Sequence, residues 1–163
     1  MAKQQQHKTN AQREVEAAGF AASYHGIDVE DGFSFTGTQL AEILGEDPDQ
    51  VFKTLVTQGK SGEHYVFMIP VACELDLKKA ATVVGEKSVA MIKAKELLPL
   101  TGYVHGGCSP LGMKKAFPTA IDETAALYDT ICFSAGRVGH QIEMPPNDLA
   151  KLIDLTFADL TAI

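Results

Sequence analysis

The sequence predicts an α/β fold: a single domain in which a mixed sheet, or a partly closed barrel, is flanked by helices. Three observations carry that expectation. The 163 residues suit one domain better than two. Strand-like and helix-like stretches follow one another without the regular alternation of a doubly wound parallel sheet. Neither an internal repeat nor a linker-like segment divides residues 1–163.

The elements read in order as follows. Residues 9–18 predict a short helix stopped by Gly19, with Glu14 and Glu16 outward. Residues 20–27 predict a strand. Residues 28–36 read as an acidic loop, in which Phe33 and Phe35 are either a lid packed on the core or simple anchors. Thr38 is an N-cap candidate for a helix through Leu40, Ile43 and Leu44, ended by Gly45. After an Asp47-Pro48-Asp49 turn, residues 51–57 and 64–70 predict a hairpin around Gly59-Lys60-Ser61-Gly62. Asp76 caps a helix to Val84 that Gly85 ends. Residues 88–92 predict a strand, and residues 94–98 a helical turn closed by Pro99. Residues 101–118 are rich in Gly and Pro, with no strong period. Residues 119–121, 130–134 and 141–144 predict strands, the last two joined by Ala135-Gly136-Arg137-Val138-Gly139. A final helix starts at Pro146 or Asn147 and runs through Leu149, Leu152, Ile153 and Leu155.

Composition narrows the functional classes. No apolar run reaches the ~20 residues of a membrane span. The first ten residues are polar and glutamine-rich, so no secretory signal is expected there and the protein is expected to be cytoplasmic. Cys73, Cys108 and Cys132 are odd in number and widely spaced, which reads as reduced thiols. The five histidines show no ligand spacing either, so neither a metal nor another cofactor is expected. A net charge of −7 argues against a free-standing nucleic-acid binder driven by charge. Lys78, Lys79, Lys87, Lys93, Lys95, Lys114, Lys115 and Arg137 are either a local basic face or a scattered solvated surface.

Three features could carry chemistry. Lys53 shares a strand face with Val51 and Leu55 by the period of two. A lysine among aliphatic neighbours is either desolvated, and then able to hold phosphate or polarise a carbonyl, or an edge residue snorkelling to water. Residues 102–112, Gly-Tyr-Val-His-Gly-Gly-Cys-Ser-Pro-Leu-Gly, let backbone N–H groups approach an oxyanion, or simply form a turn. Their spacing matches neither a P-loop nor a dinucleotide fingerprint. Ser134 ends a strand at a tight connection, with Arg137 close by; substrate contact and an ordinary hairpin loop both fit. No Ser-His-Asp order or G-x-S-x-G motif is present.

Taken together, Pro48-Asp49-Gln50-Val51-Phe52-Lys53-Thr54-Leu55, Pro70-Val71-Ala72, Thr101-Gly102-Tyr103-Val104-His105-Gly106-Gly107-Cys108-Ser109-Pro110-Leu111-Gly112, Ser134-Ala135-Gly136 and Ile142-Glu143 resemble the YbaK/EbsC family of aminoacyl-tRNA deacylases. That family is related to the editing domain of bacterial prolyl-tRNA synthetase. The resemblance runs from about residue 37 to the C-terminus.

The resemblance implies an α/β domain that clears mischarged tRNA in trans, above all Cys-tRNA(Pro), beside prolyl-tRNA synthetase. It places the family's lysine on Lys53, its glycine loop on Gly106 and Gly107, and its strand-end serine on Ser134, with Thr54 and Gln141 as further substrate contacts. Two positions depart from the pattern. Gln141 stands where the family has an aspartate, and Ile27 where it has a tyrosine, with Tyr24 close by. Both bear on amino-acid preference. The expected reaction needs no protein nucleophile: a cysteinyl thiol attacks its own ester carbonyl, or a positioned water attacks another aminoacyl ester. A binding module without turnover and a small-ester hydrolase are the alternatives.

Overall fold

The helices of this chain are short, and local capping sets most of their ends. In the computed structural model, which describes residues 8–30 and 32–162, α1 (Asn10–Ala18) opens on a reciprocal capping box between Thr9 and Gln12 and ends at left-handed Gly19. Helix α2 (Gly37–Leu44) is capped by Thr36, not Thr38, because Gln39 lies three residues after Thr36 and completes the box. Asp76 caps α3 (Leu77–Val84) by accepting from the Lys78 and Lys79 amides. Helix α4 (Ala94–Thr101) continues through Pro99 instead of stopping before it. Thr101 Oγ1 donates to Leu97 O at 2.7 Å, and Gly102 N–H to Leu98 O at 2.9 Å, so the last turn is held despite the missing proline N–H. Helix α5 (Pro146–Leu152) is shorter than its apolar period predicts. The polar residues 1–7 lie outside the described residues.

The strands are β1 (Ser23–Gly26), β2 (Val51–Gly59), β3 (His64–Pro70), β4 (Val89–Met91), β5 (Thr119–Asp122), β6 (Ile131–Ser134), β7 (His140–Met144) and β8 (Leu155–Ala158). They form one mixed sheet in the order β1-β7-β6-β2-β3-β5-β8, with β4 on β2. Strands β1 and β8 are its two ends, so the sheet is open and the partly closed barrel is excluded. Strand β8 corrects the expectation of helix through Leu155. It pairs in parallel with β5, from Thr119↔Leu155 to Asp122↔Ala158, a tertiary contact that no local period announces.

Helices cover both faces. Phe52, Met68, Phe133 and Ile142 pack with Val15 of α1 and Leu149 of α5. On the opposite face Phe67 and Ile69 meet Ala80 and Ala81 of α3, and Val51 and Cys132 meet Ala41 of α2. Each such fully buried large side chain contributes roughly 1.5–3 kcal/mol. Among the described residues no helix is long and apolar enough to cross a membrane.

One break in the sheet matters for function. Strand β3 covers one edge of β2 from Phe52 to Gln58. The other edge is paired with β6 at Val51 and Phe52, and with β4 from Thr57 to Gly59. Between them, Lys53 to Val56 have no strand alongside; Ile92 N–H reaches Val56 O at 3.3 Å.

Candidate active site

A cavity of about 710 Å³ sits against this break. Because it meets β2 edge-on, consecutive residues line it: Lys53 and Leu55 from one face of the sheet, Thr54 and Val56 from the other. One side wall is the stretch from Ser34 to Leu40, including Phe35 and the start of α2. The facing wall is Met91 to Ala94 and Leu97, entering α4. His105, Gly106 and Cys108 come from the glycine loop, and Ser134, Val138, Gly139 and Gln141 from the β6–β7 connection and its flanks.

Strand pairing brings the predicted polar residues into one row. Phe52 pairs with Phe133, so Lys53 falls level with Ser134; Ser134 pairs with Gln141. All three line the cavity, as does Thr54. Lys53 is half-buried and forms no ion pair with a carboxylate among the described residues. Thr54 Oγ1 and Gln141 Oε1 are buried with no hydrogen-bond partner among the described residues. An unpaired buried polar atom costs roughly 1–3 kcal/mol. In a cavity wall, that deficit is recovered when a ligand supplies the missing group. Ser134 Oγ accepts from Gly136 N–H at 3.1 Å, which leaves its own O–H to donate into the cavity.

The two glycines of the loop separate. Gly106 lines the cavity in the left-handed region, φ +85°, and its N–H has no acceptor among the described residues. Gly107 does not offer the second amide that the sequence led us to expect. Its N–H closes a turn onto Val104 O at 3.0 Å, and a Cβ there would lie 3.0 Å from Val138 N. Gly107 therefore permits close packing of the two loops, and Gly106 is the available donor.

The loop is anchored from behind. Tyr103 is 6% exposed and donates to Leu111 O at 2.6 Å, and burial pushes its hydroxyl pKa up to about 12. Its ring occupies the space that a Cβ on Gly136 would need. Glu14 is not simply outward: it accepts Gly112 N–H at 2.7 Å and ties α1 to the loop. Cys108 lies in the cavity wall, but burial pushes its thiol up to about 12, so it is a neutral wall group at pH 7 and not a thiolate nucleophile. Among the described residues no group of three His, Cys, Asp or Glu is gathered to hold a metal.

Among the wall residues outside the predicted site are His105, Phe35, read from the sequence only as a lid or an anchor, and Lys93, read only as a surface or basic-face lysine. His105 lay inside the glycine-rich motif without a role. Neither departure from the family pattern puts a tyrosine in the cavity wall. Tyr24 pairs with Ile142, on the sheet face away from Ser134 and Gln141, and Ile27 backs the wall through its N–H to Gly139 O at 2.9 Å.

A cavity at a broken sheet edge, lined by a lysine, two unpaired polar oxygens and a free amide, is the class of site able to take a polar or carbonyl-bearing ligand. Comparison with known proteins gives that class its family. Residues 34–152 match the aminoacyl-tRNA editing domain, and the chain belongs to that family. It is 44% identical over 98% of its length, and 96% of the relative's, to EbsC of Enterococcus faecalis, named provisionally as a Cys-tRNA(Pro)/Cys-tRNA(Cys) deacylase. It is 25% identical to YwhH of Bacillus subtilis over 72% of this chain and 74% of that one. A crystal structure described, again provisionally, as a trans-editing enzyme for prolyl tRNA synthetase superposes with a TM-score of 0.82 at 26% identity, covering 94% of this chain and 96% of that one. The structure of APE2540 shares the fold, with a TM-score of 0.83 at 21% identity over 94% and 99%.

Proposed function

We propose that residues 1–163 form a single trans-acting editing domain that deacylates mischarged tRNA, with Cys-tRNA(Pro) as its main substrate. The observation that carries this reading is the row Lys53–Ser134–Gln141 beside the unpaired edge of β2. The 44% identity to EbsC supports the choice of amino acid and tRNA.

In this mechanism Lys53 holds the ester carbonyl or the neighbouring phosphate as a point charge. Gly106 N–H stabilises the oxyanion that forms on that carbonyl. Ser134 and Gln141 orient the amino acid, and Thr54 fixes the terminal nucleotide or the ester against the strand edge. The cysteinyl thiol attacks the carbonyl carbon, a C–S bond forms and the C–O bond to the ribose breaks. The thiol proton ends on the released ribose hydroxyl, and a cyclic thiolactone leaves. An amino acid without a thiol reacts only as fast as a positioned water allows. Prolyl-tRNA synthetase is the proposed partner and the cytoplasm the proposed location; with net charge −7 the domain binds tRNA weakly alone.

The test is deacylation of cysteinyl-, alanyl- and seryl-tRNA(Pro), with and without the synthetase, followed by product analysis. Cysteinyl-tRNA(Pro) is expected to react fastest and to yield thiolactone. Binding without release of the amino acid from any of them would overturn the reading in favour of a binding module. Equal cleavage of simple esters would favour a small-ester hydrolase.

A further inference from the structure

The negative charge of this chain is concentrated in one place. Residues 28–49 hold seven Asp and Glu and no Lys or Arg, so the remaining sequence carries fourteen acids and fourteen Lys and Arg, and is neutral. The uncharged middle of that segment, from Ser34 to Leu40, supplies one wall of the cavity, and none of its acids lines it. The facing wall has a different character. Residues 87–95 contain Lys87, Lys93 and Lys95 and no acid.

A shallow surface groove of about 320 Å³ runs on from that wall. Met91, Ile92 and Lys93 line both it and the cavity, and Lys60 and Ser88 extend it outward. The Lys60 amide donates to Ser88 O at 3.0 Å, which fixes the hairpin end beside β4. Lys60, Lys87, Lys93 and Lys95 are all exposed and make no ion pair among the described residues. Two carboxylates lie near. Glu96 lines the groove, whereas Glu86 already accepts from Ser61 and Tyr65.

We infer that RNA leaves the cavity over this β4–α4 groove, with the phosphates next to the acylated end of the tRNA lying along Lys60, Lys87, Lys93 and Lys95. This rests on the editing function proposed above. A polyanion emerging from a cavity with one uncharged wall and one flanked by lysines is steered by the local field more than by the net charge. Such phosphate contacts set register and orientation and carry no sequence information. The wall from Ser34 to Leu40 offers no cation to a phosphate, so the lysines of the other side set which way the acceptor end points.

The experiment compares wild type with the triple variant K60Q/K87Q/K95Q, which spares the cavity-lining Lys93. A control triple, R13Q/K78Q/K114Q, removes the same charge from α1, α3 and the segment after the glycine loop, none of it in the cavity lining. For each protein kcat/KM is measured over a range of salt on cysteinyl-tRNA(Pro) and on a cysteinyl ester of adenosine. The groove variant is expected to lose about tenfold on tRNA at low salt, and its salt slope to flatten by about 2, at ~0.7 per phosphate contact. It should stay within about twofold on the adenosine ester, and the control within about twofold on both. Equal losses in the two triples, an unchanged salt slope, or an equal loss on the adenosine ester would overturn the proposal. If wild type cleaves neither substrate, the editing reading fails separately. Anisotropy of an acceptor-stem hairpin ending in CCA, read against salt with the same variants, then decides the groove.

Discussion

Two regions of the molecule hold buried polar atoms without hydrogen bonds, and they differ in what lies next to them. Thr54 Oγ1 and Gln141 Oε1 open onto the cavity. Both carboxylate oxygens of half-buried Glu46, just after α2, have no N–H or hydroxyl partner among the described residues, yet Glu46 does not line the cavity. Burial, above all, raises the Glu46 pKa, while the Cys132 thiol and His25 pull it back. Nearby Glu143 moves the other way, lowered by hydrogen bonds from Thr130 and His25. The orphan atoms of the cavity face open space, whereas burial of the Glu46 carboxylate favours its protonated form. The same deficit therefore signals binding in one place and titration in the other.

Removing the charge beside the cavity should separate the two regions most sharply. Lys53→Ala is expected to lose about 10²–10³ in single-turnover deacylation, the scale of one transition-state contact, and to keep a cooperative thermal transition. Lys53→Arg should restore only part of the rate, because a planar fork replaces a point charge. An alanine variant with near wild-type rates would remove Lys53 from the mechanism.

Thr54→Val deletes the orphan hydroxyl at constant shape. Tm should hold or rise, while kcat/KM falls about tenfold, the worth of one hydrogen bond of roughly 1–1.5 kcal/mol. A lower Tm with full activity would make Thr54 a structural residue instead. Gln141→Asp offers a charged acceptor where a neutral one stands. We expect the ranking of cysteinyl, alanyl and seryl substrates to shift by about threefold to tenfold, with Tm less affected. An unchanged ranking would place this position outside amino-acid recognition.

The smallest effect belongs to the half-buried Glu46. A carboxyl whose folded pKa is raised contributes stability at low pH that is lost as pH rises from about 4.5 through the folded value. Glu46→Gln removes that loss. Thermal melts should show Tm higher by about 2 °C at pH 7.5 and no gain at pH 4. A gain of the same size at both pH values would mean that packing, not ionisation, was relieved.

Much of the local structure was legible because its causes are local. Asp76, Gly19, Gly45 and Gly85 mark helix ends that the structure keeps. Thr36 was also legible, since its box with Gln39 is a four-residue pattern; reading back from the first apolar position picked Thr38 instead. Strand β8 was not, because Leu152, Ile153 and Leu155 fit a helical period and only pairing with β5 decides the outcome. For the site, Lys53, Ser134 and Gln141 were named, but their alignment depends on a parallel pairing between segments about eighty residues apart. Residue types and the family resemblance proposed the members. Strand order assembled them, and no local signal marks the gap between β6 and β4.

That gap has a consequence for solvent exchange. Ile92 reaches Val56 O across the open edge, so the backbone groups of Val56, and by alternation of Thr54, point away from β3. The Thr54 amide should therefore exchange its hydrogen quickly in the middle of a strand whose neighbours at Lys53 and Leu55 are protected. A ligand seated against the edge would slow exchange at Thr54 while leaving Lys53 and Leu55 unchanged. A single amide inside a central strand thus becomes a reporter of occupancy that needs no turnover.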